Sequence, residues 1–268
     1  METYIVDSFT KEPFKGNPAG VCFPRQELGV EAMLHIAQEF GLSETAFVRE
    51  TSAAGVYAIR YFLPKQEIPL CGHATLAAAK VLFSKTPQTE IHFLTHEQVD
   101  LGITRQGEDI TMTFPVYDTV AATVPPATLA ALGLPTVVNT AFSPKNKIVL
   151  LEIADDQQLA ALQPDFNALL QSHTGINGVL VTAPGSTPAY DYHYRYFWPW
   201  AGTNEDPVTG GVQTFLARYW ATRLHKQLMQ AFQSSTRTGS MQVELHADKV
   251  LLTSQAIIVL EGKLVAFG

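Results

Sequence analysis

Short stretches in which apolar and polar residues alternate recur along the whole chain, and each predicts a half-buried strand. In the first half they fall at Tyr4 to Val6, Ala46 to Val48, Val56 to Phe62, Ile91 to Thr95 and Ile110 to Phe114. In the second they fall at Ile148 to Ile153, Val179 to Thr182, Tyr190 to Phe197, Met241 to Leu245, Val250 to Thr253 and Ile257 to Leu260. Two stretches break the alternation. From Ala74 to Phe83 the only charged residue is Lys80, and from Val212 to Ala221 it is only Arg218. A helix that is apolar nearly all round must be enclosed. Glu31 to Phe40 is a more ordinary amphipathic helix, with Met33, Ile36, Ala37 and Phe40 at helical spacing and Gly41 as its stop. Asp165 to Gln171 is its weaker counterpart, and Asp118 to Pro126 reads as a link.

The chain also repeats itself. Arg60-Tyr61-Phe62-Leu63-Pro64 is answered by Arg195-Tyr196-Phe197-Trp198-Pro199, and Glu67-Ile68-Pro69-Leu70-Cys71-Gly72 by Glu205-Asp206-Pro207-Val208-Thr209-Gly210. Both blocks read strand, proline turn, glycine, helix, at an offset near half the chain. The expectation is an α+β chain of two similar lobes, residues 1–118 and 119–268. Each would be a rolled, mostly antiparallel sheet around one central helix, and the last strand could return to the first lobe.

Composition narrows the function classes. With 46% hydrophobic and 16% charged residues, the chain reads as a well-buried globular protein and not a disordered one. No apolar run approaches the ~20 residues of a membrane span, and the start lacks a secretory pattern. Only Cys22 and Cys71 are present, which argues against a disulfide framework or a zinc-ligand spacing and for a reducing cytoplasm. The net charge of −7, without any basic stripe, argues against nucleic acid as a partner.

The two glycine–helix junctions are the candidate site. A helix start leaves backbone N–H groups unpaired and carries partial positive charge. Glycine there lets a partner approach closely. If a two-fold relates the lobes, both helix starts can face a cleft and cradle a small carboxylate. Beside them stand several candidate groups. Glu44, between Gly41 and the strand at Ala46, is a candidate proton carrier whose pKa partial burial would raise; a solvated surface glutamate is the alternative. His73 could meet a ligand or simply bond to backbone. Asp206 could pair with His73 across the cleft or cap its own helix before Pro207. Cys71 could be a thiolate at a helix start, where its pKa would fall, or an inert buried thiol. Thr209 stands opposite Cys71 and Gly211 opposite His73, and Glu44 has no counterpart in the second half. One base on one face of a carbon suits a hydrogen shift more than racemisation.

These residues carry a resemblance. Asp7-Ser8-Phe9, Gly16-Asn17-Pro18-Ala19-Gly20-Val21, Leu42-Ser43-Glu44-Thr45-Ala46-Phe47, Leu70-Cys71-Gly72-His73-Ala74-Thr75, Glu205-Asp206-Pro207-Val208-Thr209-Gly210 and Arg237-Thr238-Gly239-Ser240 resemble, in order, the phenazine-biosynthesis isomerase (PhzF-like) family. That family belongs to the diaminopimelate-epimerase fold. The resemblance implies a cofactor-independent, metal-free isomerase that usually forms a homodimer. Its substrate would be a small cyclic carboxylate, as in the dihydro-hydroxyanthranilate chemistry of the phenazine enzyme. It implies Glu44 as general acid/base, with His73 and Asp206 tuning and orienting. Asn17, Gly72, Thr209, Gly210 and Gly211 would bind substrate. Gly211 departs from the family's usual serine, which bears on the substrate more than on the reaction. A Cys71-dependent racemase and a non-catalytic metabolite-binding protein remain the alternative readings.

Overall fold

The computed structural model describes residues 1–265. The chain divides into two compact units, one of Met1–Thr113 with the segment from Leu252 onward, the other of Phe114–Leu251. The first holds β1 (Glu2–Ser8), β2 (Asn17–Phe23), α1 (Val30–Phe40), β3 (Glu44–Glu50), β4 (Val56–Phe62), β5 (Glu67–Ile68), α2 (Gly72–Lys85), β6 (Glu90–Thr95), β7 (Asp100–Gln106) and β8 (Asp109–Pro115). The second holds β9 (Val120–Ala121), α3 (Pro126–Leu132), β10 (Asn139–Ser143), β11 (Ile148–Glu152), α4 (Asp156–Ala161), α5 (Phe166–Ser172) and β12 (Gly178–Pro184). It continues with β13 (Tyr192–Trp198), β14 (Thr203–Asp206), α6 (Gln213–Leu224), β15 (Leu228–Gln233) and β16 (Gly239–Leu245), and β17 (Lys249–Ser254) begins in it and ends in the first. The last strand, β18 (Ala256–Lys263), belongs to the first unit, where it pairs antiparallel with β1. Among the described residues no helix is long and apolar enough to cross a membrane.

Pairing in the two units follows one scheme. In the first, β2 runs parallel to β3 across the α1 crossover, β4 pairs antiparallel with β3 and β5, and β6 returns parallel to β4 after α2. In the second, β11 runs parallel to β12 across α4 and α5, β13 pairs antiparallel with β12 and β14, and β15 returns parallel to β13 after α6. The repeat holds to single residues. Phe62 stands opposite Glu67 and Phe197 opposite Glu205 in the strand registers. Arg60 clasps Glu67 with two hydrogen bonds of 2.7 Å, and Arg195 clasps Glu205 with bonds of 2.7 and 2.8 Å. A planar guanidinium matches a carboxylate in this bidentate way, so each pair pins a strand to the turn that leads into a helix.

The apolar helices are enclosed, as their composition predicts. In α2 ten of fourteen residues are buried, and the helix packs against β1, β2, β3 and β18. Ala74 and Ala77 to Ala79 are fully buried and let the strands approach closely, while Leu76, Val81, Leu82 and Phe83 supply bulk. Each of those four larger side chains stabilises the fold by about 1.5–3 kcal/mol. In α6, Phe215, Leu216, Ala217, Tyr219 and Trp220 are buried. Trp220 stacks on Tyr192 and donates from its indole to the Thr182 hydroxyl at 2.9 Å. Outside these helices, α1 turns Met33, Ile36 and Ala37 inward and ends at Gly41, whose left-handed backbone lets its N–H reach the Ala37 carbonyl. Helices α3 to α5 cover an apolar cluster that includes Leu132, Leu151, Leu159, Leu169 and Val181.

The alternation pattern missed β2, β7, β10 and β15, and with them α3 and α4. The supposed link Asp118 to Pro126 is part of the second unit: it contains β9, which pairs with β10, and Pro126 opens α3.

Candidate functional site

The first unit brings Asn17, Glu44, Cys71 and His73 together. Glu44 is the first residue of β3 and is 4% exposed, so the surface-glutamate alternative does not hold. Its register partner is Ala19 in the neighbouring β2, two residues beyond Asn17. His73 lies in the first turn of α2, with Cys71 as the residue before the helix. Nε2 of His73 is 3.1 Å from Oε2 of Glu44, yet neither atom makes a well-directed hydrogen bond. On the other edge of the ring, Nδ1 is 3.2 Å from the Asn17 amide nitrogen and 3.4 Å from the Cys71 sulfur. Ser8 fixes the backbone at this point, its hydroxyl donating to the His73 carbonyl at 2.7 Å.

The loop between Ser8 and Asn17 is built to close there. Gly16 adopts φ +68°, and a Cβ on it would lie 2.1 Å from the Ser8 carbonyl oxygen, so only glycine fits. Ser8 appears within a matched sequence string, but nothing in that string marks it as the anchor of the His73 turn.

The electrostatics correct two expectations. Burial pushes the Glu44 carboxyl up, but the charge of His73 and its hydrogen-bonding capacity more than offset this, and the pKa lies below the ordinary value. Glu44 is thus held as a carboxylate, the reverse of the raised pKa expected from burial alone. Burial likewise opposes charge on His73, yet Cys71 and Glu44 together hold its pKa well above the usual histidine value. For Cys71 burial wins, and the thiol is pushed up instead of down. A buried, protonated thiol is a poor nucleophile. Glu44, Cys71 and His73 each place a ligand atom within 4.8 Å of the others, so the cluster has the donor types and spacing to hold a metal ion as well.

The second unit carries the other junction. Asp206 is buried at the end of β14, and its carboxylate accepts a short hydrogen bond from the Thr209 hydroxyl. The Thr209 N–H donates to Oε1 of Gln233 at 2.7 Å, while the Gln233 amide donates to the Asp206 carbonyl at 2.5 Å. Tyr194 donates to the Thr209 carbonyl at 3.1 Å and Ser235 to that of Pro207 at 2.5 Å. All three polar groups of Thr209, the hydroxyl, N–H and carbonyl, are thus engaged around the turn. Asp206 ties this turn but does not cap its helix as expected: α6 begins at Gln213, after Val212, with no side-chain cap. Gly210 and Gly211 then lead into α6 through bonds from Gln213 and Thr214. Gly211 is not in the left-handed region, and a Cβ on it would meet nothing within 4 Å. Gln233 went unrecognised in the sequence, where it is one polar residue in an unremarkable strand.

Comparison with known proteins fits this arrangement. The model of the phenazine biosynthesis-like protein family, PhzC-PhzF, matches residues 6–262. An uncharacterized isomerase of Halalkalibacterium halodurans is 37% identical, with 97% of each chain covered. A crystal structure of a phenazine biosynthesis protein of the PhzF family from Enterococcus faecalis is similar at 35% identity and TM-score 0.90, over 98% of this chain and 99% of that one. The fold alone extends to a hydroxyproline epimerase from Agrobacterium vitis, at 13% identity and TM-score 0.61 over 98% of this chain and 90% of that one. An epimerase-like α+β fold, a family match over nearly the whole chain and relatives named as isomerases lead to one conclusion: this chain belongs to the phenazine biosynthesis-like protein family and is an enzyme of the isomerase class.

Proposed function

We propose that the chain is a cofactor-independent isomerase that moves a proton between carbons of a small cyclic carboxylate, with Glu44 as the single general acid/base. The observation that carries this reading is the buried Glu44–His73 pair, 3.1 Å apart and poorly aligned toward each other. Two buried polar atoms left in that state are suited to a third group, and a substrate C–H beside Glu44 is such a group. Held as a carboxylate, Glu44 begins as the base. It takes a proton from one carbon, becomes the neutral acid, and returns that proton to another carbon, so the enzyme ends as it started.

His73 supports both halves of the cycle. Its Nε2 faces Glu44, and a hydrogen there stabilises the carboxylate before abstraction and after return. Asn17 and Cys71 contact the opposite ring nitrogen and hold the ring in place. The helix start at Gly72 offers N–H groups without helical acceptors, a suitable hold for the substrate carboxylate. For the second junction the proposal is that Asp206 and Thr209 shape the turn, while Gly210 and Gly211 supply donors of the same kind. Assembly as a homodimer also belongs to this proposal.

The test is Glu44→Gln. Incubation in deuterium oxide with dihydro-hydroxyanthranilate and related cyclic carboxylates should label the substrate of the native enzyme. The variant should retain its fold and its ligand affinity and lose the label. Undiminished exchange would remove Glu44 from the role.

A further inference from the structure

The second unit contains a cavity of about 320 Å³ that includes neither junction residues nor the Glu44 cluster. Its floor is one face of α6, where Phe215, Arg218, Tyr219, Thr222 and Arg223 recur at helical spacing. Its wall is the segment 117–121, tied down at one end by the Tyr117 N–H on the Thr214 carbonyl and at the other by the pairing of Ala121 with Ala141. Asn139 and Thr140 of β10 close the remaining side.

The polar groups around it differ in how far they are occupied. Arg218 is committed, with one nitrogen on Asp118 at 2.5 Å and another on the Ala247 carbonyl at 2.8 Å. Arg223 is not. Its Nε donates to buried Glu152 at 2.8 Å and its guanidinium carbon lies 3.8 Å over the Tyr219 ring, an arrangement that fixes the plane. The two terminal nitrogens then have no hydrogen-bond partner among the described residues. Tyr219 is itself locked, donating to Glu152 at 2.5 Å and accepting from Asn139 at 2.9 Å. A guanidinium oriented on both flanks with an empty fork is preorganised for a planar, two-oxygen acceptor.

We propose that this cavity is a second binding site, for a small monocyclic carboxylate. The fork of Arg223 takes the two oxygens, and Phe215, Val120 and Ala141 contact the ring. An apolar cavity of about 150 Å³ already holds benzene, so this one has room for a ring and its substituents. The site does not depend on the isomerase reading, because no residue of the proposed proton-transfer machinery lines it.

Calorimetric titration of the full chain with benzoate, and with benzyl alcohol as its uncharged analogue, tests the proposal. His73→Asn disturbs the candidate catalytic cluster and leaves every residue lining this cavity in place. The expected result is saturable benzoate binding that persists in His73→Asn, with benzyl alcohol at least tenfold weaker. Arg223→Lys, which keeps a cation beside Glu152 but loses the fork, should weaken benzoate at least tenfold. Thr222→Trp, at an exposed position on the rim, should block it without disturbing the core. Absence of saturable binding would overturn the proposal, as would loss of all binding in His73→Asn or equal affinity in Arg223→Lys and Thr222→Trp.

Discussion

Arg195 holds Glu205 through two parallel hydrogen bonds while its remaining terminal nitrogen donates to the carbonyls of Leu159, Ala160 and Leu162. Its repeat partner, Arg60, makes the same clasp on Glu67 without those carbonyls. The two arginines therefore predict unequal losses. Arg60→Met should cost about 1 kcal/mol, the upper range for a partly exposed pair. Arg195→Met should cost about 3 kcal/mol or more, because it leaves a nearly buried carboxylate and three carbonyls without their donor. Urea unfolding of both variants measures the difference, and equal losses would contradict it.

The Glu44–His73 pair predicts how stability changes with pH. Glu44 is depressed in the fold from an ordinary value of 4.5, so its contribution is full above that pH and is lost as the pH falls through the lower folded value. His73 is raised from 6.5, so its contribution is full below that pH and is lost as the pH rises through the higher folded value. Both are fully present only between about pH 4.5 and 6.5. Compared with the native chain, the double variant Glu44→Gln/His73→Asn should show a flatter stability profile outside that window. Parallel profiles in denaturant unfolding would count against the coupling.

Cys71 should be chemically quiet. Because burial raises its pKa, the native protein should resist iodoacetamide at neutral pH, and Cys71→Ser should keep full isomerase activity. Rapid alkylation that abolishes activity, together with an inactive Cys71→Ser, would revive the racemase mechanism.

Three glycines should respond differently to substitution. Gly211→Ser meets open space at an ordinary φ and should leave the melting temperature within about 2 °C. Gly178→Ala drives a methyl to within 2.6 Å of the Tyr196 ring, and Gly16→Ala drives one to 2.1 Å from backbone at a left-handed φ. Each should cost about 2–4 kcal/mol, with Gly16 the worse because its backbone contact is closer than that of Gly178 with the Phe197 carbonyl, 2.8 Å, and its φ is left-handed. Thermal unfolding of the three variants would establish the order.

How much of this was legible in the sequence depended on which physical signal each segment carried. Alternation found β4 because Tyr57, Ile59 and Tyr61 face inward while Val56, Ala58 and Arg60 are less buried. It missed β2 because that strand is buried on both faces and contains Pro18 and Gly20, two residues that normally argue against a strand. In β7, Leu101 and Ile103 do alternate, but Gly102 and the flanking charges hid the pattern. The repeat was readable as matched strings, but that Arg60 clasps Glu67 and Arg195 clasps Glu205 was not, because pairing across a turn depends on the strand register. The direction of the Glu44 pKa was not readable, because burial and a neighbouring histidine act oppositely and only distances decide between them. The Arg223 cavity was equally hidden: three of its walls come from segments far apart in sequence.

Strand β18 has a kinetic consequence. It pairs with β1, which precedes it by most of the chain, while Phe114–Leu251 is contiguous and needs no later piece. During synthesis Phe114–Leu251 can mature first, and Met1–Thr113 must wait, the edge of β1 exposed, until β18 emerges to zip against it.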